Sequence, residues 1–132
     1  MPVRYARSYV DRLYEAKDVS ALYSVVNVVS ADRTLPDQFW LFLRLWEWCG
    51  ATRSGIWQYY ESISSRDFEK IAHALDGSGL MDLAEKYRSG MKHWKEPGGC
   101  VELDRWIDRH WRELEGFVFD LIADYRQHLY GD

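Results

Sequence analysis

Glu69 and His73 stand four residues apart, as do Asp124 and His128. On a helix that spacing brings two side chains onto one face, where a carboxylate beside an imidazole can hold a metal ion or share a proton. The four histidines, His73, His93, His110 and His128, nevertheless form no HExxH and no Glu-x-x-His motif, so surface pairing is the expected role of both pairs. His110 falls on an apolar stripe and reads as a core histidine with a hydrogen-bond partner. Cys49 and Cys100 make no CxxC spacing and read as ordinary reduced thiols. The chain has no Gly-x-Ser-x-Gly elbow, Walker motif or dinucleotide fingerprint. No catalytic residue, metal or cofactor is therefore expected; the catalytic alternative is a small enzyme with a convergent pocket around Glu69, His73 and the Trp57 cluster.

Binding chemistry is better represented. The formal net charge is −4, and its distribution is uneven: residues 1–99 carry 13 acids and 13 bases, whereas residues 100–132 carry 8 acids and 4 bases. Such a C-terminal end repels phosphate and favours a basic protein partner, so direct nucleic-acid binding is not expected. If residues 103–129 form a helix, Asp108 has Arg105 and Arg112 at pairing distance, Glu113 has Arg109, and Glu115 has Arg112. These three acids are expected to sit in a self-compensated charge lattice. Asp120 and Asp124 differ, because no lysine or arginine lies three or four positions from either. They are the carboxylates most available to a partner, although a solvated helix face needs acids of this kind with no partner at all.

Three further groups have ordinary structural explanations. Lys86, Arg88, Lys92 and Lys95 can hold an anion, yet the last of them fall where a helix C-terminus stabilises cations. Trp57, Tyr59 and Tyr60 can stack a flat ligand, but aromatics at this density usually build core. Gly98-Gly99 before a helix resembles an anion site, and Glu102 and Asp104 argue against it.

The elements that position these residues read as helices throughout. Ala6, Tyr9, Val10 and Leu13 recur at helical spacing, and Asp18 or Ser20 can cap a second helix carrying Leu22, Val25, Val26 and Val29, whose valines would also suit a strand. Pro36 opens a third helix that is apolar around nearly its whole circumference and must be buried. Ser64 or Ser65 caps a helix with Phe68, Ile71, Ala72 and Leu75 on one face, and the Gly77-Ser78-Gly79 connection makes it one arm of an αα-hairpin. Residues 103–129 form the longest amphipathic pattern. As one straight helix it would span roughly 40 Å, so a bend or break is expected near Gly116, leaving open whether the segment is one helix or two. The expected architecture is one all-α domain over residues 1–132, a bundle of six to eight helices. The first residues carry no secretory pattern and no apolar run is long enough for a bilayer, so a cytoplasmic location is expected.

Gly55-Ile56-Trp57-Gln58-Tyr59-Tyr60, the helix through Ala74-Leu75, the helix from Leu80 to Met91 and Leu103-Asp104-Arg105-Trp106 together resemble the bacterial DMP19-like family of DNA-mimic proteins, over about residues 47–130. Ser54 stands where the family has the first of two glycines, and Glu61-Ser62-Ile63-Ser64 replaces its Asn-Ser-x-Gly turn. The resemblance implies an all-α fold, no catalysis, homodimerisation, and an acidic surface that occupies a DNA-binding protein in place of DNA. The expected function is accordingly a non-enzymatic protein-binding module whose partner is basic or DNA-binding, with Asp120, Asp124, Glu113, Glu115 and Asp108 as its contact residues. An antitoxin or immunity protein that neutralises a toxin or nuclease is the alternative within the binding class.

Overall fold

The computed structural model describes residues 4–131, and structural statements below refer to these. They form eight α-helices, two short 3₁₀ segments and no strand, the all-α class that the hydrophobic periodicity predicts. The helices are α1 (Arg7–Ala16), α2 (Val19–Asp32), α3 (Asp37–Gly50), α4 (Trp57–Ser62), α5 (Ser65–Gly77), α6 (Met81–His93), α7 (Val101–Arg109) and α8 (Trp111–Asp120). None is long and apolar enough to cross a membrane. The chain groups into two compact units, Met1–Trp46 with Glu115–Asp132, and Glu47–Leu114.

In the first unit α1 stops because Lys17 adopts a left-handed conformation (φ 52°) and the Asp18 N–H reaches back to the Leu13 carbonyl at 3.0 Å. Asp18 then starts α2 by accepting a hydrogen bond from the Ala21 N–H at 3.1 Å. The valines that suit either structure are helical here: Val19, Leu22, Val25, Val26 and Val29 are all buried. Burying each is worth about 1.5–3 kcal/mol, well above the fraction of a kcal/mol that β-branching costs a helix. α3 is as apolar as predicted, with Phe39, Leu41, Phe42, Leu43 and Leu45 buried.

After α8 the chain turns through residues 121–124 into the 3₁₀ segment Arg126–Leu129. Long-range hydrogen bonds hold this tail. The Tyr14 hydroxyl donates to the Ile122 carbonyl (3.0 Å), Gln38 Nε2 donates to the Tyr125 hydroxyl (3.0 Å), and Arg33 Nη2 donates to the carbonyls of His128 (2.6 Å) and Tyr130 (3.0 Å). The Gly131 N–H donates to the Tyr5 carbonyl at 2.9 Å. Asp11 accepts from the Tyr130 hydroxyl and pairs with Arg126 at 3.3 Å.

The second unit is built on aromatic rings. The buried Trp48 Nε1–H donates to the Tyr60 hydroxyl at 2.8 Å, which donates to the Tyr87 carbonyl at 2.6 Å, and Phe68 stacks on Tyr87 with centroids 5.0 Å apart. Ser64 caps α5 by accepting from the Asp67 N–H at 3.1 Å. Gly79 (φ 78°) makes the turn into α6, and α5 and α6 pack as the expected hairpin. Where α6 passes α4 it carries Gly90, because a Cβ there would lie 2.1 Å from the Tyr60 ring.

The terminal segment is broken, but not at the expected place. Gly116 lies inside α8, whereas α7 ends at His110 (φ −103°, ψ 18°). At this end of α7 the Trp106 carbonyl accepts from both the His110 backbone N–H (3.0 Å) and its Nδ1 (2.8 Å), and the imidazole stacks on the Trp106 indole with centroids 4.6 Å apart. His110 is half-buried with its Nδ1 hydrogen satisfied, close to its expected role.

Candidate binding surface

The break at His110 divides the wheel on which the charge lattice was drawn. Arg105 turns back to Glu102 at 3.0 Å instead of reaching Asp108. Asp108, Glu113 and Glu115 make no ion pair among the described residues, nor do Arg109 and Arg112. Asp108 and Arg112 sit on different helices, as do Arg109 and Glu113, so the i, i+4 geometry is lost. The expectation of self-compensation is thus corrected: these acids keep their negative potential. Asp108 and Glu113 are exposed in the second unit, and Glu115 is half-buried in the first.

Asp120 and Asp124 are both exposed and make no ion pair among the described residues. They are not successive turns of one α-helix, however. Asp120 is the last residue of α8, and Asp124 ends a tight turn whose Ile122 N–H bonds the Phe119 carbonyl at 3.0 Å. Asp120 therefore adds its charge to the negative end of the α8 dipole, a placement that costs folding a few tenths of a kcal/mol and strengthens the outward field. The intervening residues are anchored from beneath: Ile122 is fully buried and its carbonyl accepts from the Tyr14 hydroxyl. Burial pushes that phenol well above its usual range, so it stays a donor.

The possible metal pairs do not assemble. Glu69 and His73 approach only to 3.9 Å with side chains 62 % and 76 % exposed, an ordinary surface pair. His128 packs against the rings of Phe39 and Tyr125 and not on Asp124. No group of three or more His, Cys, Asp or Glu among the described residues is placed to hold a metal. Cys100 is buried, and desolvation with the nearby Asp104 charge raises its thiol pKa, which keeps it protonated and weakly nucleophilic.

The basic cluster divides. Arg88 makes a two-pronged pair with Asp76 of α5 at 2.7 and 3.3 Å, which lowers the Asp76 carboxyl below its usual range. Lys86 instead points its ammonium at the Trp106 ring, 5.4 Å from the centroid, in a polar cleft of about 350 Å³ that Arg109 and Glu102 also line. Lys95 lies over Trp94, and Lys92 is exposed. The aromatic cluster divides too: Tyr60 is core and Tyr59 half-buried with its hydroxyl 2.7 Å from that of Tyr87, but Trp57 is 42 % exposed. The expectation that all three build core fails at Trp57, the first residue of a helix only six residues long.

Two contributions escape sequence reasoning. Asp104 accepts from the Thr52 hydroxyl (2.7 Å) and the Ile56 N–H (2.9 Å), tying α7 to the loop before α4, so this acid is a structural tie and not merely an N-terminal charge. Arg33, Tyr14 and Gln38 fix the tail that carries Asp124. No local signal marks any of these, since their partners are 48 to 108 residues distant. No family model, curated protein or solved structure matches the chain.

Proposed function

We propose that this protein is a binding module that engages a basic protein partner, of the DNA-binding kind, through the carboxylates of its C-terminal segment. The observation that carries the reading is the exposed pair Asp120 and Asp124, without internal cations, at the two ends of a turn held by the buried Tyr14 hydrogen bond and the partly buried Gln38 one. A surface acid already bridged to lysine or arginine presents little potential to a partner; these two present all of theirs. Because the turn is anchored before binding, little ordering entropy opposes association. Glu115 on α8 adds to the same segment. The resemblance to DNA-mimic proteins supplies the kind of partner, a protein whose basic face ordinarily meets phosphates.

Affinity capture from the native host, with wild type and an Asp120→Lys/Asp124→Lys variant compared by mass spectrometry, tests this. The expected result is a DNA-binding protein retained by wild type, lost by the variant, and eluted by raising salt from about 0.15 to 0.5 M, where the Debye length shortens from about 8 to about 4 Å. Equal recovery of every protein by both baits would sink the proposal.

A further inference from the structure

Trp57 is exposed yet held in place. Gly55, at φ 101°, lies so close beneath its indole that a Cβ there would stand 2.8 Å from Nε1. The exposed large hydrophobic side chains among the described residues are Trp57, Met81, Val101 and Phe117. Two of these, Trp57 and Val101, wall a single slot of about 230 Å³ in the second unit, together with Trp94 and the glycines of the 98–99 loop. Tryptophan left in water on a rigid support is the residue type most enriched where partners bind tightly.

The charged side chains that line the slot are acidic, with the Lys95 ammonium beside it over Trp94. Glu96 and Asp104 line it, and no lysine or arginine does. Asp104 spends Oδ1 on two neutral donors, the Thr52 hydroxyl and the Ile56 N–H, and so keeps its full charge. Glu96 has the His93 ring at 3.3 Å, which offsets its charge only when that imidazole is protonated. An anion entering the slot would be repelled, and a wholly apolar guest would desolvate carboxylates without giving them a partner. The chain also displays the favoured chemistry on one of the two rings, for the Lys95 ammonium sits 5.5 Å from the Trp94 centroid.

We propose that this slot receives the cationic side chain of a partner protein, an arginine or a lysine, with its aliphatic stem on the tryptophan and valine walls and its charged head against the indole faces and the Glu96 and Asp104 carboxylates. The site lies in the unit that lacks Asp120 and Asp124 and does not depend on them.

The test is a titration of the full chain with capped Gly-Arg-Gly, Gly-Lys-Gly and Gly-citrulline-Gly tripeptides, followed by the indole N–H signals in NMR. The arginine or lysine peptide is expected to move the Trp57 and Trp94 signals, and the stronger of the two identifies the head group. Citrulline, the neutral isostere of arginine, is expected to leave them in place. Trp57→Ala should weaken binding about tenfold and Trp57→Phe less, as a cation over an aromatic face requires. Glu96→Gln, on an exposed loop, should weaken it without disturbing the fold, and Lys95→Met should strengthen it by freeing the Trp94 face. Shifts of equal size with citrulline would overturn the proposal, as would the absence of shifts with both cations at millimolar peptide. Binding lost in Asp120→Asn/Asp124→Asn but kept in Trp57→Ala would overturn it as well, while leaving the carboxylate turn intact.

Discussion

Alanine at position 90 should damage this protein while the same change at position 116 should improve it. Both glycines are inside helices, where replacing glycine by alanine gains about 0.5–1 kcal/mol from reduced backbone freedom in the unfolded chain. At Gly116 the new methyl has nothing within 4 Å, so that gain is realised in full. At Gly90 the methyl would stand 2.1, 2.2 and 2.4 Å from three atoms of the Tyr60 phenol. That ring cannot step aside at low cost. It is 2 % exposed, and its hydroxyl both accepts from Trp48 and donates to the Tyr87 carbonyl. Displacing it strands a buried donor and a buried acceptor at about 1–3 kcal/mol each, and overpacking adds about 1–3 kcal/mol. Against the helix gain, the net loss should be about 2–8 kcal/mol, a large share of the 5–15 kcal/mol that typically holds a domain together. Urea unfolding followed by far- and near-ultraviolet circular dichroism measures both variants. A Gly90→Ala stability within about 0.5 kcal/mol of wild type, on the scale of an ordinary surface change, would refute the reasoning, because the close approach of α6 to Tyr60 would then carry no energy.

The remaining expectations concern ties between distant segments. Asp104→Ala should cost about 1–3 kcal/mol by orphaning the Ile56 N–H and the Thr52 hydroxyl, and hydrogen exchange at the Ile56 amide should quicken; Asp104→Asn, which keeps an acceptor, should lose less. Asp11 has its pKa lowered, chiefly by the Tyr130 hydroxyl bond, against the opposing effect of burial, and further by Arg126. A depressed folded-state pKa means that Asp11 contributes stability above the unfolded value of about 4, and that this is lost as pH falls through the folded value. Wild type and Asp11→Asn should therefore differ in urea midpoint at pH 7 and converge at pH 2; a constant gap would contradict the tie. Asp76, lowered mainly by its Arg88 bond, should give Asp76→Asn the same convergence.

How much of the site was legible in the chain depends on the distance over which each feature is decided. The α5 cap, the α5 and α6 hairpin and the buried stripe of α2 follow from residues within four positions of one another, and all are read correctly from spacing. The boundary at His110 is not, although glycine's weak helix propensity made Gly116 the natural choice. An exposed glycine costs a helix only about 1 kcal/mol, so Gly116 is carried inside α8, while the backbone leaves the helical range at His110 (φ −103°, ψ 18°), whose ring caps the end of α7 by bonding and stacking on Trp106. That boundary also separates Asp108 from Arg112 and Arg109 from Glu113. Asp108 with Arg105 and Glu115 with Arg112 share a helix and still form no ion pair, since Arg105 turns to Glu102 and an exposed pair is worth little.

Composition and periodicity alone determine that this is an all-α protein with an acid-rich C-terminal end, because helix formation and net charge are local or additive properties. Which acids remain uncompensated, which tryptophan stays in water and where the last amphipathic segment breaks are decided only by tertiary structure. Asp104 and Asp124 illustrate the difference. Both are acids of the same segment, yet one is tied through Oδ1 to a loop 48 residues away and the other is left facing solvent on a turn that Tyr14 holds from 108 residues away. A carboxylate's role follows from the donors that folding brings to it, and these are not its neighbours in the chain.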